Sequence, residues 1–321
     1  MPRYLVTGGA GFIGSHLVEA LLADGHDVRV LDDLSSGRAE NLPQGVELIV
    51  SSVTDLSTVR HALDGTEGCF HLAAIASVER AQQEWLYCHS VNLTGAITVF
   101  EAVRRAQIEG GSAVPVVYAS SAAVYGNPDE IPISEESDVR PLNAYGADKL
   151  GCELHAVVAS RFDVRTVGLR FFNVYGPRQS PNSPYSGVIS IFCQKSLQGA
   201  GIQIHGDGKQ VRDFVYVGDA VNALCRAMAS ATVAPAVFNV CTGTGTTISQ
   251  LGEKIAEICG VPFAARHVSP RAGDLRLSVG SPRMANEKLG FATTIPLEKG
   301  LAKTLSAIMA GDPAVVGAAE R

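Results

Sequence analysis

The sequence predicts an α/β fold in which a doubly wound parallel sheet is joined to a smaller C-terminal α/β domain. Three observations support this prediction. Short apolar runs alternate with helical patterns through the first half, the first run leads into a glycine-rich turn, and the pattern changes after Asn173. Alternating strands and helices are typical of a parallel sheet covered on both faces. We expect one domain over residues 1–175, with a later contribution from about 215–243, and a second mainly over 176–321.

Each apolar run of the first half is followed by turn residues or by a helical pattern. The expected strands are Arg3–Thr7, Val28–Asp32, Glu47–Ser51, Gly68–Leu72, Val114–Ser120 and Val164–Arg170. The expected helices between them are Ser15–Asp24, Leu56–Leu63, Asn92–Ala106 and Tyr145–Arg161, the last with Leu150, Leu154, Val157 and Val158 on one side. Residues 176–185 are rich in proline, glycine, serine and asparagine and predict a loop or the start of a smaller domain. Beyond them we expect helices at Val217–Ala231 and Ile248–Cys259 and a strand at Val237–Cys241.

The composition excludes several classes of protein. The formal net charge of −6 over 321 residues argues against a nucleic-acid partner, because phosphate binding needs a basic field. No apolar run reaches the roughly 20 residues that a membrane span requires, and we expect no signal segment before the first strand. The seven cysteines are scattered without a C-x-x-C pair, which is typical of reduced thiols in a cytoplasmic protein. Because neither they nor the eight histidines show metal-ligand spacing, we expect no metal site.

A glycine-rich turn lies between the first strand and the first helix. Gly8, Gly11 and Gly14 form a G-x-x-G-x-x-G pattern, which lets the backbone turn tightly and approach a pyrophosphate at the helix N-terminus. Asp32 ends the second strand 18 residues after Gly14, where a carboxylate can hydrogen-bond the adenosine ribose. The following Asp33 adds negative charge that would repel a 2′-phosphate. This context predicts a Rossmann-type domain that binds NAD rather than NADP.

Ser121, Tyr145 and Lys149 form a second functional pattern. Tyr145 and Lys149 are four residues apart on an expected helix and therefore share a face. A free tyrosine has a pKa of about 10, and a nearby ammonium favours the phenolate that a general base requires. Ser121 follows an expected strand, at the carboxyl edge where open α/β sheets place their ligands. We expect its hydroxyl to bridge the substrate oxygen and Tyr145, which makes these three residues the candidate catalytic set.

Motifs of a known family run along nearly the whole chain. They read TGGAGFIG (7–14), LDDLSSG (31–37), FHLAA (70–74), SVNLTG (90–95), YASSAAVYG (118–126), YGADK (145–149), LRFFNVYGPRQ (169–179), SPYSGVISIF (183–192), GDGKQVRDFVYVGD (206–219), NVCTG (239–243) and PRAGDLRLS (270–278). On these residues the chain resembles the UDP-glucose (UDP-galactose) 4-epimerase family of the extended short-chain dehydrogenase/reductase superfamily. The resemblance implies an NAD-dependent isomerase of carbohydrate metabolism that inverts C4 of a UDP-sugar. It also implies a homodimer that packs through the helices starting near Asn92 and Tyr145.

The resemblance implies which residues hold the cofactor. The pyrophosphate would lie on Gly8, Gly11, Phe12, Ile13 and Gly14, and the adenosine would lie near Asp32, Asp33 and Val53. The nicotinamide side would be lined by Ala73, Ala74, Tyr145 and Lys149. Asn92 would brace the active-site backbone, or alternatively cap a helix. Ser52 departs from the family, which has an aspartate before the adenine-contacting residue, so adenine recognition is expected to be weaker or routed differently.

On the substrate side the resemblance implies a UDP pocket. Its residues would be Asn173 for the diphosphate or sugar, Val188 for uracil, Arg212 and Arg271 for the phosphates, and Asp274 for the uridine ribose. Guanidinium groups suit phosphate oxygens because they offer paired donors. Ser278 falls where a small residue admits 2-acetamido sugars, or it caps a turn. Arg178 is a further candidate, or it braces its loop.

Several residues separate this reaction from related ones. Nucleotide-sugar 4,6-dehydratases place Asp-Glu, and UDP-glucuronate decarboxylases a glutamate, before the V-Y-G element, where this chain has Ala122-Ala123. Reductases of the dTDP-sugar type use NADPH, which Asp32 disfavours. UDP-glucuronate 4-epimerases are an alternative, but they carry an arginine where this chain has Ser180 and a threonine at the position of Asn173. Two more alternatives are a dehydrogenase that releases a ketone and a non-catalytic NAD-sensing regulatory protein.

Overall fold

The computed structural model describes residues 1–179, 187–271 and 274–311. Its strands are β1 (Arg3–Thr7), β2 (Asp27–Asp32), β3 (Glu47–Val50), β4 (Gly68–His71), β5 (Val116–Ser121), β6 (Thr166–Phe171), β7 (Asn173–Tyr175), β8 (Ile202–His205), β9 (Val211–Tyr216), β10 (Ala236–Val240), β11 (Gly245–Thr247), β12 (Ala265–Val268) and β13 (Leu277–Ser278). Its α-helices are α1 (Phe12–Ala23), α2 (Leu56–Leu63), α3 (Val78–Gln83), α4 (Trp85–His89), α5 (Gly95–Ile108), α6 (Ala144–Ser160), α7 (Val188–Leu197), α8 (Val217–Ser230), α9 (Ile248–Cys259), α10 (Arg283–Leu289) and α11 (Leu297–Met309). Within these ranges, no helix combines the length and the apolar character needed to cross a membrane.

One parallel sheet of seven strands runs in the order β10-β6-β5-β4-β1-β2-β3. The chain passes outward from β1 to β3, then returns to β4 and continues through β5 and β6 on the other side. Doubly wound sheets leave a ligand crevice at such a reversal, beyond the carboxyl ends of the strands. β1 and β4 pair here, and their last residues Thr7 and His71 are partners in the register. The predicted Rossmann-type sheet is confirmed.

Helices cover both faces of this sheet. Val6 and Phe70 belong to the apolar core formed with α1 and α8, whereas the preceding residues Leu5 and Cys69 belong to the core formed with α2, α5 and α6. Successive strand residues point to opposite faces, so both sets are buried. This double burial explains why the strands read as continuous apolar runs in the sequence.

The chain beyond β6 builds two smaller sheets. In these, β9 pairs with β7, β11 and β13, and β8 pairs with β12. Together with α7, α9 and α11 they enclose a separate apolar core that includes Tyr175, Phe192, Phe214 and Leu251. β10 returns to the large sheet, where it pairs with β6. Because a single residue, Phe172, separates the carboxyl end of β6 from the start of β7, the smaller sheets are attached at the crevice edge of the large one.

The helix expected from Asn92 is part of a longer helical run, in which α4, a π-helical segment and α5 follow one another without a break. α5 starts at Gly95, and the preceding segment Ser90–Thr94 is π-helical, so Asn92 does not cap a helix. Its Oδ1 accepts a hydrogen bond from Ile75 N at 2.7 Å, and its Nδ2 donates to Ile75 O at 3.3 Å. These bonds to the chain beyond β4 occur at the π-helical segment, whose turn is wider than that of an α-helix. The periodicity of the local sequence does not show such long-range bonds.

The outer side of α6 is apolar and exposed. Leu154, Val157 and Val158 retain 61%, 49% and 54% of their accessible surface, and Phe162 just beyond the helix retains 53%. The inner side of the helix packs on the sheet through Cys152 and neighbouring residues. A contiguous apolar stripe of this kind is typical of a surface that another protein covers.

Candidate active site

The glycine turn after β1 forms a close-packed cradle at the start of α1. Gly8 adopts φ +70°, and a Cβ on Gly14 would lie 2.1 Å from the carbonyl oxygen of Gly8. A side chain at Gly14 would therefore force the turn apart. Gly11 stands at the N-cap and offers no side chain to the first amides of this 12-residue helix. Those amides, at the positive end of the helix dipole, are available to an anionic group.

Asp32 ties the loop after β2 to the glycine turn. Its Oδ2 accepts a hydrogen bond from Ala10 N at 3.0 Å, and its Oδ1 accepts one from Leu34 N at 2.9 Å. Burial raises the pKa of Asp32, and these two backbone donors oppose the rise. Asp33 is exposed, and its carboxylate accepts from the amide and hydroxyl of Ser35. Two adjacent carboxylates at this edge disfavour a ligand that carries a 2′-phosphate.

The end of β4 completes the crevice. The backbone of Ala73 meets the glycine turn so closely that a Cβ on Gly8 would lie 2.6 Å from Ala73 N. Ala74 follows, half-buried, just before the Ile75 backbone that Asn92 holds. The two bonds of Asn92 thus hold the backbone that follows β4, beside the candidate site.

Ser52 and Val53, which the family resemblance associates with the adenosine, lie in the turn between β3 and α2. Val53 is buried against α5, and a Cβ on Gly95 would come within 2.6 Å of its side chain. The hydroxyl of Ser52 lies 2.8 Å from that of Thr54 and accepts from the Thr54 amide at 3.2 Å. Ser52 thus organises its own turn locally.

Ser121, Tyr145 and Lys149 lie where β5 ends beside α6. The hydroxyl of Ser121 accepts a hydrogen bond at 3.2 Å from the amide two residues further on. Lys149 is buried, its Nζ donates to Ala119 O on β5 at 2.9 Å, and the same Nζ lies 5.8 Å from the centre of the Tyr145 ring. The structure therefore brings the predicted helix pair against the strand that ends at Ser121.

His71 is a buried group at this crevice to which sequence reasoning gave no role. Its Nδ1 lies 2.8 Å from the hydroxyl of Thr7, which also accepts from Ala73 N at 3.3 Å. Burial lowers the pKa of His71 to about 3, and the positive charge of Lys149 contributes to the lowering. The imidazole is therefore neutral at physiological pH and sits between the ends of β1 and β4.

A buried polar network behind the candidate catalytic set was also missed. Its members are Ser120, Tyr125, Glu153, Arg170 and Asn239. The one sequence signal was the four-residue spacing from Lys149 to Glu153, which puts both on the same face of α6.

The expected UDP ligands are distributed over the smaller sheets. Arg212 on β9 is paired in register with Ser278 on β13, and its guanidinium forms an ion pair with Asp274. Burial lowers the pKa of Arg212, while Asp274 opposes that change. Gln210, which sequence reasoning missed, donates to the second oxygen of Asp274 at 3.3 Å. The structure thus brings Arg212, Asp274 and Ser278 together.

Of the other predicted substrate residues, Arg271 contacts the group of Arg212, Asp274 and Ser278 through its backbone. Among the residues that the structure describes, Asn173 and Val188 form no hydrogen bond or ion pair with that group. Asn173 is exposed at the start of β7, and Val188 is the first residue of α7. Arg271 is exposed, and its carbonyl accepts from Asp274 N at 3.3 Å. Ser180 lies outside the described residues.

Arg178 is held on the other side of the crevice. Its backbone adopts φ +64°, and its guanidinium forms an ion pair with Glu19 of α1 and reaches Asn41 O. These contacts fasten the loop after β7 to the first helix, which corresponds to the bracing role expected for Arg178.

Comparison with known proteins identifies the family. The model of the NAD dependent epimerase/dehydratase family matches residues 4–241. The chain belongs to this family. The NAD dependence of the family confirms the predicted cofactor. The match also confirms the family resemblance found in the sequence.

Family members of known name and structure resemble the chain over nearly its whole length. UDP-glucose 4-epimerase from Mycolicibacterium smegmatis is 40% identical over 311 residues, covering 94% of this chain and 97% of the relative. The structure of UDP-glucose 4-epimerase from Thermotoga maritima with UDP-glucose superposes with a TM-score of 0.91 at 36% identity, covering 96% and 99% of the two chains. UDP-N-acetylglucosamine 4-epimerase from Methanobrevibacter ruminantium in complex with UDP-N-acetylmuramic acid gives 0.90 at 33% identity, covering 97% and 99%.

The residues of the crevice fit the cofactor of this NAD-dependent family. The close contact at Gly14 leaves a cradle that any Cβ would fill, and the uncapped start of α1 offers amides to a pyrophosphate. The carboxylate of Asp32 lies beside that cradle through its bond to Ala10 N. The assignment of the pyrophosphate to the glycine turn and of the adenosine ribose to Asp32 remains a prediction.

Proposed function

We propose that this chain is an NAD-dependent UDP-sugar 4-epimerase that acts through a transient 4-keto sugar. The observation that carries the proposal is the buried Lys149, which α6 holds against the Ala119 carbonyl of β5 and beside the Tyr145 ring. With Ser121 at the end of β5, this arrangement puts an acid–base group and an orienting hydroxyl at the mouth of a dinucleotide crevice. The names of the similar epimerases support the same reaction.

In the proposed mechanism, Tyr145 removes the proton of the sugar C4 hydroxyl while Ser121 orients that hydroxyl. NAD, when bound, supplies the hydride acceptor and later the hydride donor. Lys149 keeps a positive charge beside Tyr145 throughout. Arg212 and Arg271 anchor the UDP, so the 4-keto sugar can rotate without leaving the site. After the sugar has presented its opposite face to the cofactor, Tyr145 returns the proton to the C4 oxygen. The cofactor and substrate contacts expected from the family resemblance belong to this proposal.

We propose UDP-glucose and UDP-galactose as substrates, with the N-acetylhexosamine forms also accepted. Ser278 is buried on β13 directly across from Arg212, the expected phosphate ligand. A serine leaves more space there than a bulky residue would, and a 2-acetamido group needs that space. The similarity to a UDP-N-acetylglucosamine 4-epimerase supports this wider acceptance.

A UDP-glucuronate 4-epimerase has less support. A uronate carboxylate needs a cationic partner, and Arg178 is the nearby arginine that could supply one. Its guanidinium lies against Glu19 of α1 and Asn41 O, whereas Arg212, the expected phosphate ligand, lies on β9. A non-catalytic NAD-sensing protein has less support still, because such a role does not require a buried Lys149 beside Tyr145.

We also propose that two copies form a homodimer through the outer side of α6. Leu154, Val157 and Val158 are half-exposed or more, and a two-fold axis beside this helix would cover the same stripe on both copies. The division into domains at about residue 175 and a cytoplasmic location belong to the same proposal. All seven cysteines are free thiols, which supports a reducing compartment.

The test incubates purified protein with UDP-galactose, UDP-N-acetylgalactosamine and UDP-glucuronate in separate reactions, first without and then with added NAD. Proton NMR follows the products. We expect the C4 epimers of the first two sugars without net NADH. Tyr145→Phe should abolish turnover and leave the far-UV circular dichroism unchanged, because it removes only the reacting hydroxyl. Unchanged sugars in all three reactions, despite NAD binding, would contradict the proposal, whereas net NADH with a released ketone would favour a dehydrogenase.

A further inference from the structure

We propose that Glu153 and Arg170 are positioning residues that hold Ser121 in register with the Tyr145–Lys149 face of α6. This inference rests on the proposed function, because it takes those three residues as the catalytic set. It concerns a buried ion pair that no step of the proposed reaction uses directly.

The ion pair is bidentate and almost fully buried. Arg170 Nε donates to Glu153 Oε1 at 2.9 Å, Arg170 Nη2 donates to Glu153 Oε2 at 2.7 Å, and each side chain retains 7% of its accessible surface. Two parallel hydrogen bonds between guanidinium and carboxylate fix orientation as well as distance. Because Arg170 lies on β6 and Glu153 on α6, the pair fixes how α6 is rotated and shifted on the sheet.

The pair acts on Ser121 through the preceding strand residue. Arg170 is directly opposite Ser120 in the β5–β6 register, and the Ser120 hydroxyl donates to Glu153 Oε1 at 2.5 Å. One helical turn earlier, Lys149 donates to the carbonyl of the residue before Ser120 at 2.9 Å. Two successive turns of α6 are thus bonded to two successive residues of β5, immediately before Ser121.

The same pair also holds the segment that follows Ser121. Arg170 Nη1 donates to the Tyr125 hydroxyl at 2.8 Å, and that hydroxyl donates to Asn239 Oδ1 on β10 at 2.6 Å. Burial raises the pKa of Tyr125 to about 12, so its hydroxyl keeps its proton at neutral pH. Tyr125 ends the 3-10 helix Ala122–Tyr125 that begins directly after Ser121. Ser121 is therefore held from both sides by contacts to one guanidinium–carboxylate pair.

Stability alone does not account for this pair. Removing two charges from water offsets much of their mutual attraction, and apolar residues of similar volume are often equally stable. An apolar pair lacks the directional hydrogen bonds that fix the orientation of α6 on the sheet. Misplacement of reacting groups by about 1 Å can lower a rate by about 100-fold. A change in the orientation of α6 relative to Ser121 would therefore slow the reaction.

The test compares Glu153→Gln, Arg170→Lys and the double variant Glu153→Met/Arg170→Met with the wild-type holoenzyme. Glu298→Gln is the matched control, because Glu298 forms an exposed ion pair with Lys254 on the α9–α11 side of the molecule. Each protein is examined for kcat and KM with UDP-galactose, the pH profile of kcat, bound NAD per protomer and Tm.

We expect both single variants to lose about 100-fold in kcat, with KM within about threefold of wild type and bound NAD unchanged. Glu153→Gln would turn an amide donor toward a guanidinium donor, and Arg170→Lys would remove the paired donors. The double variant should recover Tm close to wild type and stay slow. The pH profile of kcat should move in all three, since the Tyr145 environment changes, and the control should match wild type.

A folded double variant with kcat within about threefold of wild type would overturn the proposal, because the pair would then be only structural. If these variants fail to fold, Ser120→Ala removes a single hydrogen bond and decides the question. It should lose about tenfold in kcat without a change of KM, and full activity would overturn the proposal.

Failure of the proposed function gives a different pattern, in which wild type epimerises no sugar. Positioning is then measured without turnover, as the tyrosinate absorbance of each protein minus that of its Tyr145→Phe counterpart. This difference isolates Tyr145, and we expect the curve of Glu153→Gln to differ from that of wild type. An unmoved curve would count against positioning, independently of the reaction.

Discussion

The buried histidine at the end of β4 makes the stability of this protein depend on pH in a defined direction. Burial and the charge of Lys149 lower the pKa of His71 to about 3, whereas a histidine in an unfolded chain titrates at about 6.5. Between these values the unfolded state binds a proton that the folded state does not. The stability is therefore fully present above pH 6.5 and is lost as the pH falls toward 3.

The size of this effect follows from the two pKa values. Each pH unit below 6.5 costs about 1.4 kcal/mol of the free energy of unfolding. His71 should therefore account for a loss of about 2 kcal/mol between pH 7.5 and pH 5. His71→Gln removes the titration, and its amide can still bond the Thr7 hydroxyl. The free energy of unfolding of wild type relative to this variant should fall by the same amount over that range.

The assay is urea unfolding followed by far-UV circular dichroism at pH 7.5, 6 and 5, at constant ionic strength and equal saturating NAD. His61→Gln is the control, because His61 is exposed on α2, and it should parallel wild type at every pH. Other groups titrate equally in all three proteins and cancel in the comparison. If wild type and His71→Gln lose stability in parallel from pH 7.5 to 5, the reasoning about His71 is refuted.

The glycine turn, Ser278 and α6 each carry a further prediction. Gly14→Ala places a Cβ 2.1 Å from the Gly8 carbonyl oxygen, so calorimetric titration should show NAD binding at least about tenfold weaker than in wild type. The control Gly201→Ala, whose Cβ would lie 3.6 Å from the nearest atom, should bind NAD normally. Unchanged NAD affinity in Gly14→Ala would contradict the proposed pyrophosphate cradle. Ser278→Tyr should lower turnover of UDP-N-acetylgalactosamine about tenfold relative to UDP-galactose, and equal losses would argue against a role in specificity. Leu154→Glu should give a monomer by light scattering, whereas Met309→Glu, at another exposed apolar position, should leave the dimer intact; a dimer that survives Leu154→Glu would rule out the α6 interface.

The large sheet could be predicted closely because burial on two faces leaves a strong signal. The runs that became β1 to β6 and β10 differ from their predicted bounds by at most two residues. The start of α5 could not be predicted in this way. The π-helical segment before it coincides with the bonds between Asn92 and the Ile75 backbone, and the two residues are 17 positions apart.

The candidate site was predictable where a motif sets the spacing, and not where the sheet register sets it. The positions of Tyr145 and Lys149 on one face of α6 follow from their separation in the chain. Glu153 and Arg170 resemble ordinary surface charges in the sequence. Only the pairing of β5 with β6 places Arg170 opposite Ser120 and under α6. The neutral state of His71 likewise depends on burial that no local pattern shows.

The polar residues of the large sheet show how fold and function are separated within it. Buried polar side chains stand at or next to the carboxyl ends of six strands: Thr7 on β1, Asp32 on β2, His71 on β4, Ser120 on β5, Arg170 on β6 and Asn239 on β10. Each is satisfied by a partner, because an unpaired polar group would be costly to bury there. Apolar residues would fill these positions at lower desolvation cost. The buried polar residues lie at the edge where doubly wound sheets bind ligands. Their positions therefore indicate that they serve the geometry of a site. The apolar runs build the sheet, and the polar ends of its strands hold the candidate catalytic residues in place.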